Sequence, residues 1–131
     1  MPGCIVVADD DPTIVELVKL RLGLAHYEVI ATHDAAAALA MVRAKQPALV
    51  ILDVRMPGGG GLAALSKIKT DPATSAVPVM MLTGERNPET VLLAMQGGAD
   101  DYVVKPFDPD ALLQRVSRLA GKNSTPVLIW S

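Results

Sequence analysis

Ala48-Leu49-Val50-Ile51-Leu52-Asp53-Val54-Arg55-Met56-Pro57 opens with an unbroken apolar run, Ala48 to Leu52, that ends on the Asp53 carboxylate, and the chain then leaves through a proline into four glycines, Gly58 to Gly61. Five consecutive apolar residues with turn residues behind them read as a short strand buried on both faces, here over Ala48 to Asp53. An ionisable group is costly at the end of such a strand. Functional carboxylates are found there because the strand holds them rigidly while the loop leaves them open to ligands.

Outward from this run, the same alternation repeats in both directions. Cys4 to Ala8 is an apolar strand closed by Asp9-Asp10, and Asp11-Pro12 reads as a helix N-cap with proline in the first turn. The helix behind it carries Ile14, Val15, Leu17, Val18 and Leu22 at three-to-four-residue spacing. Glu28 to Ala31 is a second strand, and Asp34 caps an Ala-rich helix that runs to about Lys45 and ends at Gln46-Pro47. Downstream, Leu62 to about Lys69 is a helix, and Val77 to Thr83 is a strand with Pro78 where a missing N–H is tolerated. Asn87-Pro88 starts a helix that Gly97-Gly98 ends. Asp101 to Lys105 is the fifth strand, and Asp108-Pro109 opens a last helix ending near Gly121.

Five apolar strands alternating with five helices predict an α/β fold of βαβ units, a doubly wound parallel sheet covered on both faces. At 131 residues the chain is one domain, expected over 1–121. Residues 122–131 read as a linker or tail: Lys122 to Pro126 is linker-like, whereas Val127-Leu128-Ile129-Trp130 is apolar. That apolar end favours one domain of a longer protein over a stand-alone chain.

Aromatics make up 3% of the chain, so the core is expected to be aliphatic. A net charge of −2 offers no basic footprint for nucleic acid. The single Cys4 can form neither an internal disulfide nor a zinc site. No apolar run approaches a membrane span and the N-terminus lacks the basic start of a secretory signal, so the expectation is a soluble, cytoplasmic protein with no membrane contact.

Ligands of an open parallel sheet bind beyond the carboxyl ends of its strands. Those ends carry Asp9, Asp10 and Asp11 on the first strand, Asp53 on the third, Thr83 on the fourth and Lys105 on the fifth. Carboxylates brought together repel one another and raise at least one pKa, a conflict that a hard divalent cation such as Mg²⁺ removes. A nucleophile held beside such a metal and a lysine suits phosphoryl transfer, which mainly needs positioning and charge neutralisation. In that scheme Asp53 attacks, Thr83 and Lys105 each hold a phosphoryl oxygen, and the backbone N–H groups of Val54 and Gly84 add donors.

Four segments in order carry a family resemblance: Val7 to Pro12, Ile51 to Pro57, Met81 to Glu85, and Gly98 to Phe107, with thirty residues from Asp53 to Thr83 and twenty-two more to Lys105. From about Cys4 to Gly121 the chain resembles a receiver domain of a two-component response regulator, of the chemotaxis-regulator type. The resemblance implies a flavodoxin-like (βα)5 sheet of order 2-1-3-4-5. It implies that Asp53 is phosphorylated by a histidine kinase or phosphotransfer protein, with Asp9, Asp10, Asp53 and the backbone carbonyl of Arg55 holding Mg²⁺, which Mn²⁺ can replace. It further implies that Thr83 and Tyr102 form the switch pair, that Lys105 binds the phosphoryl group and precedes a cis Pro106, and that Arg55 and Glu85 tune the phosphoryl lifetime. Arg55 and Glu85 are expected to pair across the site mouth. Such a domain is a phosphoacceptor rather than an enzyme with a separate substrate, though it catalyses its own phosphorylation and dephosphorylation. Its partners would be the kinase and an output domain or effector that reads the helix 4–strand 5–helix 5 face.

Gly59-Gly60-Gly61 departs from the Met-Asp-Gly common in the family, and a mobile loop beside the metal site is expected from it. Asp100, Asp101 and Arg115 partly match the charged face through which DNA-binding members dimerise on phosphorylation, but Val91 and Ala111 stand where further charges would be expected. Helix 4 instead offers Val91 to Met95, too many apolar residues for one buried face, and so predicts a partner-docking patch.

Simpler roles account for the rest. Asp11 reads as a cap, His26 and His33 as surface residues, Cys4 as a small apolar residue, and Met80, Met81 and Met95 as core. A haloacid-dehalogenase-like phosphatase also uses a strand-end aspartate, but needs a second Asp where this chain has Arg55. A flavodoxin-like FMN site would have to place a phosphate against Asp9-Asp10-Asp11, which repel it. A degenerate receiver that acts only as an interaction module is excluded, because every key residue is present.

Overall fold

The computed structural model describes residues 3–57 and 60–121. Ten elements alternate strictly: β1 (Cys4–Ala8), α1 (Pro12–Leu24), β2 (Glu28–Thr32), α2 (Ala35–Lys45), β3 (Leu49–Leu52), α3 (Gly60–Thr70), β4 (Val79–Thr83), α4 (Pro88–Gln96), β5 (Asp101–Val104) and α5 (Pro109–Gly121). All four strand pairings are parallel, and the sheet order is β2-β1-β3-β4-β5. The order reverses between β1 and β3, which opens a crevice at their carboxyl ends.

Side chains alternate across the central strands and build two separate aliphatic layers. Val6, Ala8, Val50, Leu52, Val79 and Met81 pack under α2, α3 and α4. Ile5, Val7, Leu49, Ile51, Met80 and Leu82 pack under α1 and α5. The buried run at β3 is therefore a consequence of having helices on both sides.

Local chemistry sets the helix ends. Asp11 and Asp34 cap α1 and α2 by accepting from the N–H groups of Thr13 and Ala37, and Asn87 caps α4 through Glu89. Gln46 closes α2 in the left-handed region, φ 46°. At the end of α4, Gly98 takes φ 102°, where glycine meets no side-chain penalty.

The start of α3 and the placement of Met95 differ from expectation. Helix α3 starts at Gly60 rather than Leu62, so two of the four glycines belong to its first turn. The mobile-loop expectation draws on Gly58 to Gly61, of which Gly58 and Gly59 lie outside the described residues, as does the apolar segment Val127 to Trp130. Met95 is 44% exposed, not core. Among the α4 residues only Ala94 is fully buried, and its neighbours are turned about 100° away from the sheet.

Strand β4 begins at Val79, two residues later than expected, yet the Pro78 carbonyl still accepts from the Val50 N–H at 3.0 Å. Cys4 is only half-buried at the open end of β1, with its thiol pKa raised by burial and by Glu28. No helix among the described residues is long and apolar enough to cross a membrane.

Candidate functional site

At the carboxyl edge of the sheet a cavity of about 530 Å³ is lined by Asp9, Asp10, Asp53, Thr83 and Lys105, with Asp11, Arg55, Gly84 and Glu85 around its mouth. Residues from β1, β3, β4 and β5 meet here only because the sheet order places those four strands side by side. Asp9 and Asp53 are 2% and 8% exposed, and Thr83 is 1% exposed. Asp10 points into solvent, yet one oxygen of each of Asp9, Asp10 and Asp53 falls within 4.8 Å of the others.

Lys105 organises the buried pair. Its Nζ donates to Asp9 Oδ2 at 2.6 Å and to Asp53 Oδ2 at 3.1 Å. The second oxygen of each carboxylate is held by backbone: Asp9 Oδ1 accepts from the Asp11 N–H at 2.9 Å, and Asp53 Oδ1 from the Arg55 N–H at 3.2 Å. Burial raises the pKa of Asp9 even though Lys105 and the Asp11 N–H act to lower it. Burial also disfavours the Lys105 ammonium, but its hydrogen bonds to the two carboxylates outweigh that and carry its pKa upward. One ammonium against three clustered carboxylates leaves the cluster net negative. Hard oxygen donors with uncompensated charge are the donor set that Mg²⁺ or Mn²⁺ takes.

A second layer connects the cavity to β5. Thr83 Oγ1 accepts from the Glu85 N–H at 3.2 Å, and the Tyr102 hydroxyl donates to the Glu85 carbonyl at 2.8 Å. The Glu85 carboxylate takes the Arg55 guanidinium, with Nε at 3.1 Å, and also accepts from the Asn87 N–H at the start of α4. The expected Arg55–Glu85 pair is thus present, and it holds the Glu85 carboxyl below its usual range. Tyr102 is half-buried and its phenol pKa is raised by burial, then by the nearby Glu85 and Asp53 charges. It stands behind the cavity rather than in its lining.

Most sequence-predicted residues therefore converge. Val54 does not line the cavity; its carbonyl accepts from the Gly61 N–H at 2.8 Å. Asp11 is the cap its position suggested. The Lys105–Pro106 bond is cis. Asp101 binds Arg115 at 2.7 and 2.9 Å and Arg118 at 3.4 Å, while Asp100 binds Lys69 at 3.2 Å. The charges expected at a dimer face are thus already paired within the chain.

Sequence reasoning missed three neighbours of the site. A Cβ on Gly61 would lie 2.0 Å from the Asp53 carbonyl oxygen, so this glycine lets α3 rest directly on the backbone of the nucleophile candidate. The Arg86 guanidinium donates to the Lys105 carbonyl at 3.3 Å. His33 is exposed as expected, but its Nδ1 lies 3.3 Å from the Asp9 carbonyl. The glycine run carried the first signal, which was read as mobility rather than as close approach. The other two contacts have no pattern in the chain.

A model of the response regulator receiver domain matches residues 5–117. The DNA-binding response regulator MtrA of Mycolicibacterium smegmatis is 37% identical over 128 residues, covering 97% of this chain and 55% of that protein. The chain spans about half the length of the curated relatives it matches. Among solved structures, a putative response regulator from Chloroflexus aurantiacus aligns with a TM-score of 0.87 at 31% identity, over 92% of this chain and 99% of that one. The chemotaxis response regulator CheY4 of Vibrio cholerae aligns with a TM-score of 0.84 at 30% identity, over 91% and 99%.

Proposed function

The chain belongs to the response regulator receiver family of two-component signalling, and from that premise we propose that Asp53 accepts a phosphoryl group from a phosphohistidine donor on a kinase or phosphotransfer protein. The observation that carries this reading is the convergence of Asp9, Asp53, Thr83 and Lys105, from four strands, on one open cavity. In the transfer an Asp53 carboxylate oxygen bonds to phosphorus as the phosphorus–nitrogen bond of the donor breaks. The imidazole leaves neutral if its other nitrogen carries the proton.

Asp9, Asp10 and Asp53, with the Arg55 carbonyl, would hold a Mg²⁺ or Mn²⁺ ion, which supplies charge neutralisation for the phosphoryl oxygens. Lys105 would give up its hydrogen bond to Asp53 and turn to a phosphoryl oxygen, keeping a positive charge where negative charge accumulates. The Thr83 hydroxyl accepts one bond from Glu85 and keeps its own proton free to donate. Val54 and Gly84 follow Asp53 and Thr83 directly, and their N–H groups would add backbone donors for the transferred group.

Movement of Thr83 toward that group would disturb its bond with the Glu85 N–H. Glu85 in turn holds the Tyr102 hydroxyl through its carbonyl, which supports Thr83 and Tyr102 as the switch pair. Arg55 and Glu85 close the mouth over the same oxygens and would set how readily water reaches the acyl phosphate. The surface that reads the switch would be β5 with α4 and α5, where Leu92 and Leu93 are 56% and 58% exposed. A longer protein carrying this domain would link that surface to an output region.

The test is intact mass after incubation with Mg²⁺ and acetyl phosphate. Wild type is expected to gain one phosphoryl increment that EDTA prevents and Asp53→Asn abolishes. Labelling that persists in Asp53→Asn would rule this reading out.

A further inference from the structure

The turn between β2 and α2 touches both loops that carry the site carboxylates. Thr32 is buried at the end of β2; its hydroxyl donates to the Val7 carbonyl at 3.1 Å, and its own carbonyl accepts from the Asp9 N–H at 3.2 Å. His33 comes next, with Nδ1 3.3 Å from the Asp9 carbonyl. Asp34 caps α2 by accepting from the Ala37 N–H at 2.7 Å. The Ala35 N–H then donates to the Pro57 carbonyl at 3.2 Å, in the loop that follows Asp53. Thr32 to Ala35 therefore form a strut from the Asp9–Asp10 loop to the Asp53 loop.

We propose that His33 is a positioning residue for the divalent cation: by donating from Nδ1 to the Asp9 carbonyl, it fixes the peptide that presents the Asp10 carboxylate. A carbonyl carries no proton, so the hydrogen of this contact belongs to Nδ1. That carbonyl is one end of the planar Asp9–Asp10 peptide, and holding it fixes the direction in which Asp10 leaves β1.

The other two carboxylates are already held. Lys105 and the Asp11 N–H fix Asp9, and Lys105 and the Arg55 N–H fix Asp53. Asp10 is exposed, so the backbone beneath it, rather than packing around it, directs its carboxylate. One Asp10 oxygen falls within 4.8 Å of oxygens from Asp9 and Asp53, and rotation of the Asp9–Asp10 peptide would open that cluster. Groups standing behind metal ligands tune affinity by fixing the ligands' directions. Thr32 gives His33 a buried, doubly bonded seat from which to do so. The role rests on reading Asp9, Asp10 and Asp53 as cation ligands, and it is separate from the phosphoryl transfer itself.

Asparagine supplies the test, because its Nδ2 stands as many bonds from Cα as the imidazole Nδ1 and is also a donor. Calorimetric titration with Mg²⁺ is expected to give His33→Ala a dissociation constant about three- to tenfold above wild type, and His33→Asn one within about twofold of it, the scale of one hydrogen bond. His33 is exposed, so metal-free urea midpoints of the three proteins should agree. His33→Leu, which keeps bulk without a donor, replaces His33→Ala should the truncation disturb the fold. At saturating Mg²⁺, acetyl phosphate should label His33→Ala as fast as wild type, because His33 does not line the cavity. Equal Mg²⁺ affinity in wild type and His33→Ala would overturn the proposal, as would equal weakening in the Ala and Asn variants. Tighter binding in His33→Ala would overturn it too, since the imidazole would then act only by repelling the cation. A wild type that binds no Mg²⁺ would instead remove the reading of the three carboxylates as ligands, and the role of His33 with it.

Discussion

Lys105 satisfies Asp9 and Asp53 at once, and this double hold is the main electrostatic fact of the site. An ammonium placed there competes directly with any divalent cation for the same oxygens. Removing it as Lys105→Met should therefore tighten Mg²⁺ binding by roughly tenfold, about 1.4 kcal/mol, while abolishing phosphoryl labelling. Calorimetric titration with Mg²⁺ checks the first effect and intact mass the second; weaker Mg²⁺ binding in the variant would contradict the competition. The positions of Asp9, Asp53, Thr83 and Lys105 were legible in the chain because each ends an apolar strand. Their partners were less so. The Arg55–Glu85 pair followed only from the family resemblance, and the contacts of Arg86 and His33 arise from loop paths that no spacing rule encodes.

Helix α3 shows how an element can be placed correctly and still be misunderstood. Its apolar face was readable from Leu62, Leu65 and Ile68, of which the last two are buried and Leu62 is partly so, but its first turn was taken for loop because glycine is a poor helix former. The structure gives Gly61 a steric reason: any side chain there would collide with the backbone at Asp53 and Val54. Gly61→Ala is expected to lower stability by about 1–3 kcal/mol and to impair labelling at Asp53, since relief of the clash must move one of the two segments. Gly84→Ala is the control, because nothing lies within 4 Å of the added carbon. Urea unfolding of both variants tests the contrast, and equal stabilities would remove the packing argument. Helix α4 was better served by its pattern, since its excess of apolar residues predicted the exposed Leu92 and Leu93.

Taken as a whole, the molecule sets two well-filled aliphatic layers against an edge that carries strained charge. The layers follow from period-two burial of apolar strands, which is why sheet and helix order could be read from the chain. The charged edge makes stability depend on pH and metal in opposite senses. Asp9 has a raised pKa in the folded, metal-free protein, so its contribution is fully present below the ordinary aspartate value of about 4 and is lost as pH rises through the raised one. Mg²⁺ binds only the carboxylate, so its stabilising effect should grow over the same interval. Urea midpoints across that range, with Mg²⁺ and with EDTA, should diverge as pH rises; parallel curves would show that Asp9 is no ligand. The central claim concerns where the phosphoryl group goes, and one measurement addresses it most directly. After labelling with acetyl phosphate and Mg²⁺, borohydride converts an aspartyl phosphate to homoserine, which peptide mass spectrometry locates. Homoserine at position 53 alone is the predicted result, and homoserine at any other aspartate, with Asp53 unmodified, would contradict it.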